Sequence, residues 1–251
     1  MPDNRLVLGK PDYTALDLPE PPDDRPYVIS NMVMSLDGTV TVEGTERGLG
    51  SPTDQALMRE LRVNASVVMN GATTLRKSGT SSRVGTEDHE AARRARGLST
   101  HPIAAVLTAS ADLPLEKLFF TARDFEAVVY AADTAPRDRL AAIEATGRRL
   151  VVLPAATLLT DMLAHMRHEL DARVLLVEGG PHLLGSLVAL GVVDEYFLTL
   201  GSVVVAGNTP LAATVAQRAP TIEGLTHFDL VSAHMEPEAS EFFLRYRRRT
   251  T

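Results

Sequence analysis

The segment from Arg173 to Leu200, RVLLVEGGPHLLGSLVALGVVDEYFLTL, admits few backbone paths. Val174 to Val177 is a short, branched apolar run, long enough for a buried strand and too short for a helix. It ends at Glu178-Gly179-Gly180-Pro181, where two glycines permit a sharp turn and a close ligand, and where Pro181 suits the first turn of a helix. From His182 to Leu190 apolar residues recur at helical spacing, and Gly191 supplies the stop. The unit reads as strand, glycine turn, helix, strand. Such a turn aims free N–H groups and the positive end of a helix dipole at one point, a natural holder for phosphate or pyrophosphate. A packing turn bearing a surface glutamate would have the same local sequence. Neither GxGxxG nor GxxxxGK[ST] is present, so the dinucleotide fingerprint and the Walker loop do not apply.

The rest of the chain supports an α/β reading. Residues 1–25, with Pro2, Pro11, Pro19, Pro21 and Pro22, form an extended arm that is ordered only against something else, and 26–251 reads as a single domain. Strands are expected at 27–35, 66–70, 103–108, 127–131, 149–153, 174–177 and 194–200, and helices from Ser51-Pro52 to about Asn64, then at 87–96, 136–146, 158–170 and 182–190. Gly207, Pro210 and Pro220 fall in loops. Two alternating runs, 227–235 and 241–249, close the chain as an antiparallel pair, so the sheet is mixed.

Composition removes several functions. With no cysteine there is no disulfide, Cys-zinc site or thiol nucleophile. A net charge of −7 argues against nucleic acid, and Arg247-Arg248-Arg249 reads as a solubilising end. No apolar run reaches membrane-spanning length, and MPDNRLVLGK has no signal-peptide core, which points to a cytoplasmic protein. His165 and His168 lack a third metal ligand and read as an exposed polar face; Arg93, Arg94 and Arg96 read as a solvated face or as help for a bound phosphate.

In open α/β sheets ligands bind beyond the carboxyl ends of strands. Four junctions are expected there: Asp37-Gly38, Gly71-Ala72-Thr73-Thr74, Thr108 to Ser110, and Glu178-Gly179-Gly180. Two of them combine small residues with a following turn, which suits a nucleotide with several phosphates. Asp37 is either an acid or a turn-former bonding its own backbone, and Ser51 reads first as a helix cap.

NMVMSLDG at 31–38, GSP at 50–52, LR at 61–62, GATT at 71–74, LP at 153–154, VEGGPHLLGSL at 177–187 and GVVDE at 191–195 stand in the order and spacing of a known family. The sequence resembles the reductase domain of bacterial riboflavin-biosynthesis deaminase-reductases over about residues 26–249. The resemblance implies a dihydrofolate reductase-like three-layer fold, a mixed, mainly parallel sheet flanked by helices and closed by a C-terminal antiparallel strand pair. It further implies a homodimeric, NADPH-dependent reductase that opens the ribose of 5-amino-6-(5-phosphoribosylamino)uracil to a ribityl chain. The deaminase half, with its His/Cys zinc motif, is expected to be absent.

Carried over by position, the resemblance puts Met34, Gly71, Ala72, Thr74, Thr108, Ser110, Gly179, Gly180, Pro181, His182, Leu183, Leu184 and Ser186 against the cofactor. It puts Thr39, Ser51, Arg62, Ser78 and Glu178 against the substrate, with Glu178 and Asp37 as the candidate catalytic carboxylates. Two positions depart from the family pattern. Thr39 replaces Lys or Arg after SLDG, and Ser78 replaces Asp four residues beyond Thr74. A pterin, dihydrofolate-like or other small imine substrate, or a non-catalytic nucleotide-binding paralogue, are the competing expectations.

Overall fold

In the computed structural model the described residues are 6–206, 221 and 224–249; Gly207, Pro210 and Pro220 lie outside them. The chain forms two compact units, one built from Met1–Tyr13, Val28–Met58 and Pro181–Thr251, the other from Thr14–Tyr27 and Arg59–Gly180. Their segments interleave along the chain, which is why no shift in composition marks a boundary.

The second unit is a parallel sheet in the order β7 (Val174–Val177), β3 (Val67–Gly71), β4 (Ile103–Thr108), β5 (Ala127–Ala132) and β6 (Arg149–Leu153). Strands β3, β5 and β7 are buried throughout, as expected where helices cover a parallel sheet. The crossovers carry α2 (Ala72–Ser78), α3 (Glu87–Ala95), α4 (Leu118–Thr121), α5 (Arg137–Ala145) and α6 (Leu158–His168). Phe119, Phe120 and Phe125 pack with Leu75, Val106, Val129 and Ile143 into an apolar core. Each fully buried side chain of this size contributes about 1.5–3 kcal/mol. Gly147 follows the last turn of α5 at φ 76°, the left-handed stop that glycine supplies without a Cβ penalty.

The first unit orders its strands β1 (Leu6–Leu8), β9 (Phe228–Glu236), β10 (Glu241–Arg248), β8 (Glu195–Leu200) and β2 (Tyr27–Met34, from Val28 on). The pairs β9–β10 and β10–β8 are antiparallel, while β8–β2 and β1–β9 are parallel. The mixed sheet and the closing antiparallel pair are therefore as the sequence indicates. Helix α7 (Pro181–Ala189) belongs to this unit, and α1 (Pro52–Arg62) starts in it and places its last turn, Arg59–Arg62, in the other.

The arm is ordered against the first unit: residues 6–8 pair with β9 as a strand, and Tyr13 is buried, edge-on to Phe197 at 5.0 Å. Several local readings are corrected. The junction after β3 is itself a helix, α2, because Gly71 caps it and Gly79, at φ 65°, ends it. The arginine end is not merely solubilising. Arg245 and Arg247 pair with the fully buried Glu195 at 2.6 and 2.8 Å, and Arg249 pairs with Asp229. His165 is half-buried, with its Nδ1 3.0 Å from the buried Tyr130 hydroxyl.

Candidate active site

In the second unit, the end of β7 and the end of β3 are joined. The Glu178 N–H donates to the Met69 carbonyl at 2.9 Å, and the Gly71 N–H donates to the Gly179 carbonyl at 3.3 Å. Gly179 and Gly180 take φ of 107° and 89°, a region L side chains rarely adopt. A Cβ on Gly179 would lie 3.6 Å from Thr74 Oγ1, so Thr74 on the first turn of α2 faces that bend directly. Ala72 opens the same helix. Among the described residues the N–H groups of Gly179 and Gly180 donate to no acceptor, leaving two donors beside a threonine hydroxyl. That donor set fits a diphosphate.

Glu178 leaves the end of β7 as one half of a buried ion pair. Its Oε1 and Oε2 accept from Arg62 Nε and Nη2 at 2.6 and 2.7 Å, and the side chains are 5% and 10% exposed. Arg62 Nη1 also donates to the Arg83 carbonyl at 2.7 Å. Burial pulls the guanidinium toward neutrality, but the charge and hydrogen bonds of Glu178 outweigh it, so Arg62 is held more firmly protonated than usual. The sequence places both residues against the substrate; the structure first places them against each other. Each Glu178 oxygen keeps a lone pair for a hydroxyl or amino group.

Arg62 ends α1, and the end of α1 is held by a residue the sequence reading missed. Arg93 is 1% exposed, and its Nη1 lies 2.9, 3.3 and 2.6 Å from the carbonyl oxygens of Arg62, Val63 and Ala65, with Nε on Ser99 O at 2.8 Å. Burial lowers its pKa to about 10, which still leaves it charged at neutral pH. It is neither a solvated face nor a phosphate ligand. Its spacing of three before Arg96 on a polar helix gives no hint of burial; only the orphan carbonyls at the helix end call for it.

At the end of β4, Thr108 is buried and its hydroxyl accepts from the Ala111 N–H at 3.0 Å, closing a turn in which Ala111 has φ 53°. Ser110 is exposed on that turn.

In the first unit, Met34 ends β2 and is half-buried. Ser35 donates to Asp37 Oδ1 at 2.5 Å, and the N–H groups of Val205 and Ala206 donate to Asp37 at 3.3 and 2.9 Å. These bonds, led by that from Ser35, lower the Asp37 pKa, so it is an ionised acceptor and a poor proton donor at neutral pH. These bonds tie Asp37 to the Ser35 hydroxyl and to the amides of residues 205–206. Thr39 is 2% exposed, and its Oγ1 has no partner among the described residues. Ser51 caps α1, accepting from the N–H groups of Thr53 and Asp54 at 3.1 and 3.4 Å, while its own hydroxyl donates to Glu241 at 2.5 Å. In α7, Pro181 lacks an N–H, Leu183 and Leu184 bury their side chains, and Ser186 donates to the His182 carbonyl at 2.9 Å. His182 is exposed. Only the amides of the first turn of α7 are therefore open to a ligand. Ser78 ends α2, and its side chain lies outside the described part. No group of three or more potential metal ligands occurs among the described residues.

The model of the RibD C-terminal domain matches residues 26–234, most of the chain. This chain belongs to the RibD C-terminal domain family. Within the range of the family match lie the Gly179–Gly180 bend, Gly71 at the start of α2, the Arg62–Glu178 pair and most of the first strand of the closing antiparallel pair. Among curated relatives, the 2,5-diamino-6-ribosylamino-4(3H)-pyrimidinone 5′-phosphate reductase of Aquifex aeolicus is 26% identical over 217 residues, covering 83% of this chain and 91% of its own. The reductase of the same name from Archaeoglobus fulgidus is 25% identical over 189 residues, 73% of this chain and 84% of its own. Among solved structures, a pyrimidine reductase-like protein from Corynebacterium diphtheriae aligns with a TM-score of 0.80 at 22% identity, over 91% of this chain and 94% of that one. Acinetobacter baumannii RibD aligns with a TM-score of 0.72 at 15% identity, over 90% of this chain and 58% of that one. The fold of the family's reductase domain is thus the fold of this chain. No helix among the described residues is long and apolar enough to cross a membrane.

Proposed function

We propose that this chain is a cytoplasmic, homodimeric, NADPH-dependent reductase of the riboflavin pathway, acting on a phosphorylated ribosylaminopyrimidine and opening its ribose to a ribityl chain. The observation that carries the reading is the meeting of the Gly179–Gly180 bend with the start of α2, Gly71 N–H on Gly179 O with Thr74 alongside, where small residues and open amides suit a dinucleotide diphosphate. The cofactor, when bound, supplies the hydride. The protein supplies alignment and charge.

In this reading Glu178 accepts hydrogen bonds from the substrate's amino or hydroxyl groups, and Arg62 fixes both carboxylate oxygens so that only one orientation is presented. The family pattern assigns Met34 to the nicotinamide and gives the substrate a cation at the position of Thr39, whose buried hydroxyl has no partner among the described residues. Asp37, already ionised, shapes its turn and gives no proton; the proton that balances hydride addition to a C=N carbon comes from water.

The names of the relatives favour the 2,5-diamino-pyrimidinone phosphate over the aminouracil phosphate, the two rings differing in an amino group against an oxo group. Purified protein mixed with NADPH and either compound, followed by nicotinamide absorbance, tests this. Faster turnover of the diamino compound is expected, and Glu178→Gln should lower kcat by at least ~10²-fold. Equal or better turnover of the aminouracil compound restores the alternative substrate. Turnover of dihydrofolate alone points to the pterin reading, and cofactor binding without turnover of any candidate points to a non-catalytic paralogue. Absence of NADPH binding by calorimetry removes the proposal.

A further inference from the structure

The Arg62–Glu178 pair has one support that reaches the surface. Arg62 Nη1 donates to the Arg83 carbonyl at 2.7 Å, and Arg83 belongs to residues 79–86, the loop between α2 and α3. That loop is anchored on either side of Arg83. Ser82 is fully buried and its hydroxyl donates to the Pro102 carbonyl at 2.6 Å, while Val84 is fully buried and its carbonyl lies 2.9 Å from His89 Nδ1. These contacts fix the path of the chain but not the tilt of the peptide that joins Arg83 to Val84. The N–H of that peptide, on Val84, donates to no acceptor among the described residues, and its carbonyl is the one that Arg62 grips. Between two anchored residues such a peptide is still free to turn about the soft backbone bonds that flank it.

What opposes the turn is the Arg83 side chain. Its Nε and Nη2 donate to Asp124 Oδ2 and Oδ1 at 2.6 and 3.1 Å, a two-point fork, and its guanidinium stands 6.0 Å from the centre of the buried Phe125 ring. Asp124 lies between α4 and β5, so the fork ties the α2–α3 loop to a different crossover of the same sheet. His101 Nε2 is 3.9 Å from Asp124 Oδ2, too long for a hydrogen bond, and does not compete with the fork. The Arg83 and Asp124 side chains are 44% and 43% exposed, and an ion pair that open to water adds little to stability. The fork is better explained by the carbonyl that it steadies.

Resting on the reading of Glu178 as the carboxylate that meets the substrate, we propose that Asp124 is a positioning residue for the reduction. Through the fork it holds Arg83, the Arg83 carbonyl holds Arg62, and Arg62 holds both oxygens of Glu178. Every link lies within the second unit. Without Asp124 the 83–84 peptide turns, Arg62 loses its third anchor, and the carboxylate is no longer confined to one orientation.

Two measurements test this, one of them independent of turnover. In protein carrying nitrogen-15-labelled arginine, the Arg62 Nε–H should exchange with water at least ~10-fold faster in Asp124→Ala than in the wild type. In NADPH oxidation with the pyrimidine phosphate, Asp124→Ala and Arg83→Ala should each lower kcat ~10-fold while KM for NADPH stays within ~2-fold. The double variant should be no slower than either single one, and in a Glu178→Gln background Asp124→Ala should change kcat by less than ~2-fold. Thermal midpoints within about 3 °C of the wild type show that the variants remain folded. Unchanged exchange at Arg62, or an Asp124→Ala effect of full size in the Glu178→Gln background, overturns the assignment and leaves the reductase reading intact. So does an Arg83→Ala loss far larger than that of Asp124→Ala, which puts the Arg83 side chain itself on the substrate. A wild type that oxidises NADPH with no candidate substrate removes the reductase reading, and the Arg62 exchange rate then decides the positioning by itself.

Discussion

Asp54 gives the protein a pH dependence that a single substitution should remove. It lies in the first turn of α1, largely desolvated, and burial is the main reason its pKa rises from 3.8 to about 6. A hydrogen bond from Thr199 opposes the rise, and the charges of Glu241 and Glu46 add to it. A Cβ at Gly50 would collide with the Asp54 carboxylate, which lies close against that stretch of backbone. A carboxyl whose folded pKa is raised binds its proton more tightly when folded, so stability falls as pH rises from about 4 to about 6 and stays lower above. The gap between 3.8 and about 6 corresponds to about 3 kcal/mol at pH 7.5. Asp54→Asn keeps an acceptor for Thr199 and removes the buried charge, but gives up the favourable interaction of a carboxylate with the helix N-terminus, about 0.3–1 kcal/mol. The net gain at pH 7.5 is about 2 kcal/mol, vanishing below pH 4. With a urea m-value of about 3 kcal/mol/M, the unfolding midpoint should move up by about 0.7 M at pH 7.5. Urea titrations of both proteins from pH 4 to 8 check this. Curves that run parallel across the range, or a variant less stable throughout, would refute the reasoning.

Two further substitutions separate support from contact. Arg93→Met should cost about 3 kcal/mol or more, because the carbonyls of Arg62, Val63 and Ala65 lose a buried donor, and a thermal unfolding scan should show the drop. Gly179→Ala should cost about 1–2 kcal/mol from its φ of 107° alone, since 3.6 Å to Thr74 is ordinary contact. It should weaken NADPH binding measured by fluorescence, whereas Gly147→Ala, strained at φ 76° but in open space, should leave that binding unchanged.

Most of the fold was legible because its strands are short buried runs bounded by turn residues. The strands 103–108, 149–153 and 174–177 fall where the apolar runs predict them. What escaped was short or unpatterned. α2 has seven residues, and GATT reads as a bend because no apolar repeat fits so short a helix. Leu6–Leu8 shows three exposed apolar residues without alternation, and only its partner β9 makes it a strand. At the candidate site the sequence singled out Glu178, Arg62, Gly71 and the Gly179–Gly180 bend, since motif order brings them out. It could not show that Arg62 and Glu178 bind each other, because a side-chain pairing 116 residues apart leaves no local periodicity. The same blindness hid Arg93, Asp54 and Glu241, whose roles come from burial beside particular backbone atoms and not from composition.

The support around Glu178 bears on what the pair is for. Replacing a buried ion pair by apolar residues is often neutral or stabilising, so stability alone does not explain Arg62 and Glu178. Geometry does. The Glu178 main chain is tied to β3 through Met69 O, Arg62 is tied to the loop through Arg83 O, and the carbonyl of Arg62 is tied to Arg93. Three independent anchors hold two side chains that each have several rotatable bonds. Their effect is to leave the carboxylate one orientation, next to a bend whose amides donate to no acceptor among the described residues. A surface glutamate at a packing turn would need none of these anchors. Two of the anchors hold the main chain of Glu178 and Arg62 and the third holds the guanidinium, so together they fix where the carboxylate sits at the end of a parallel strand, a constraint that packing alone does not require.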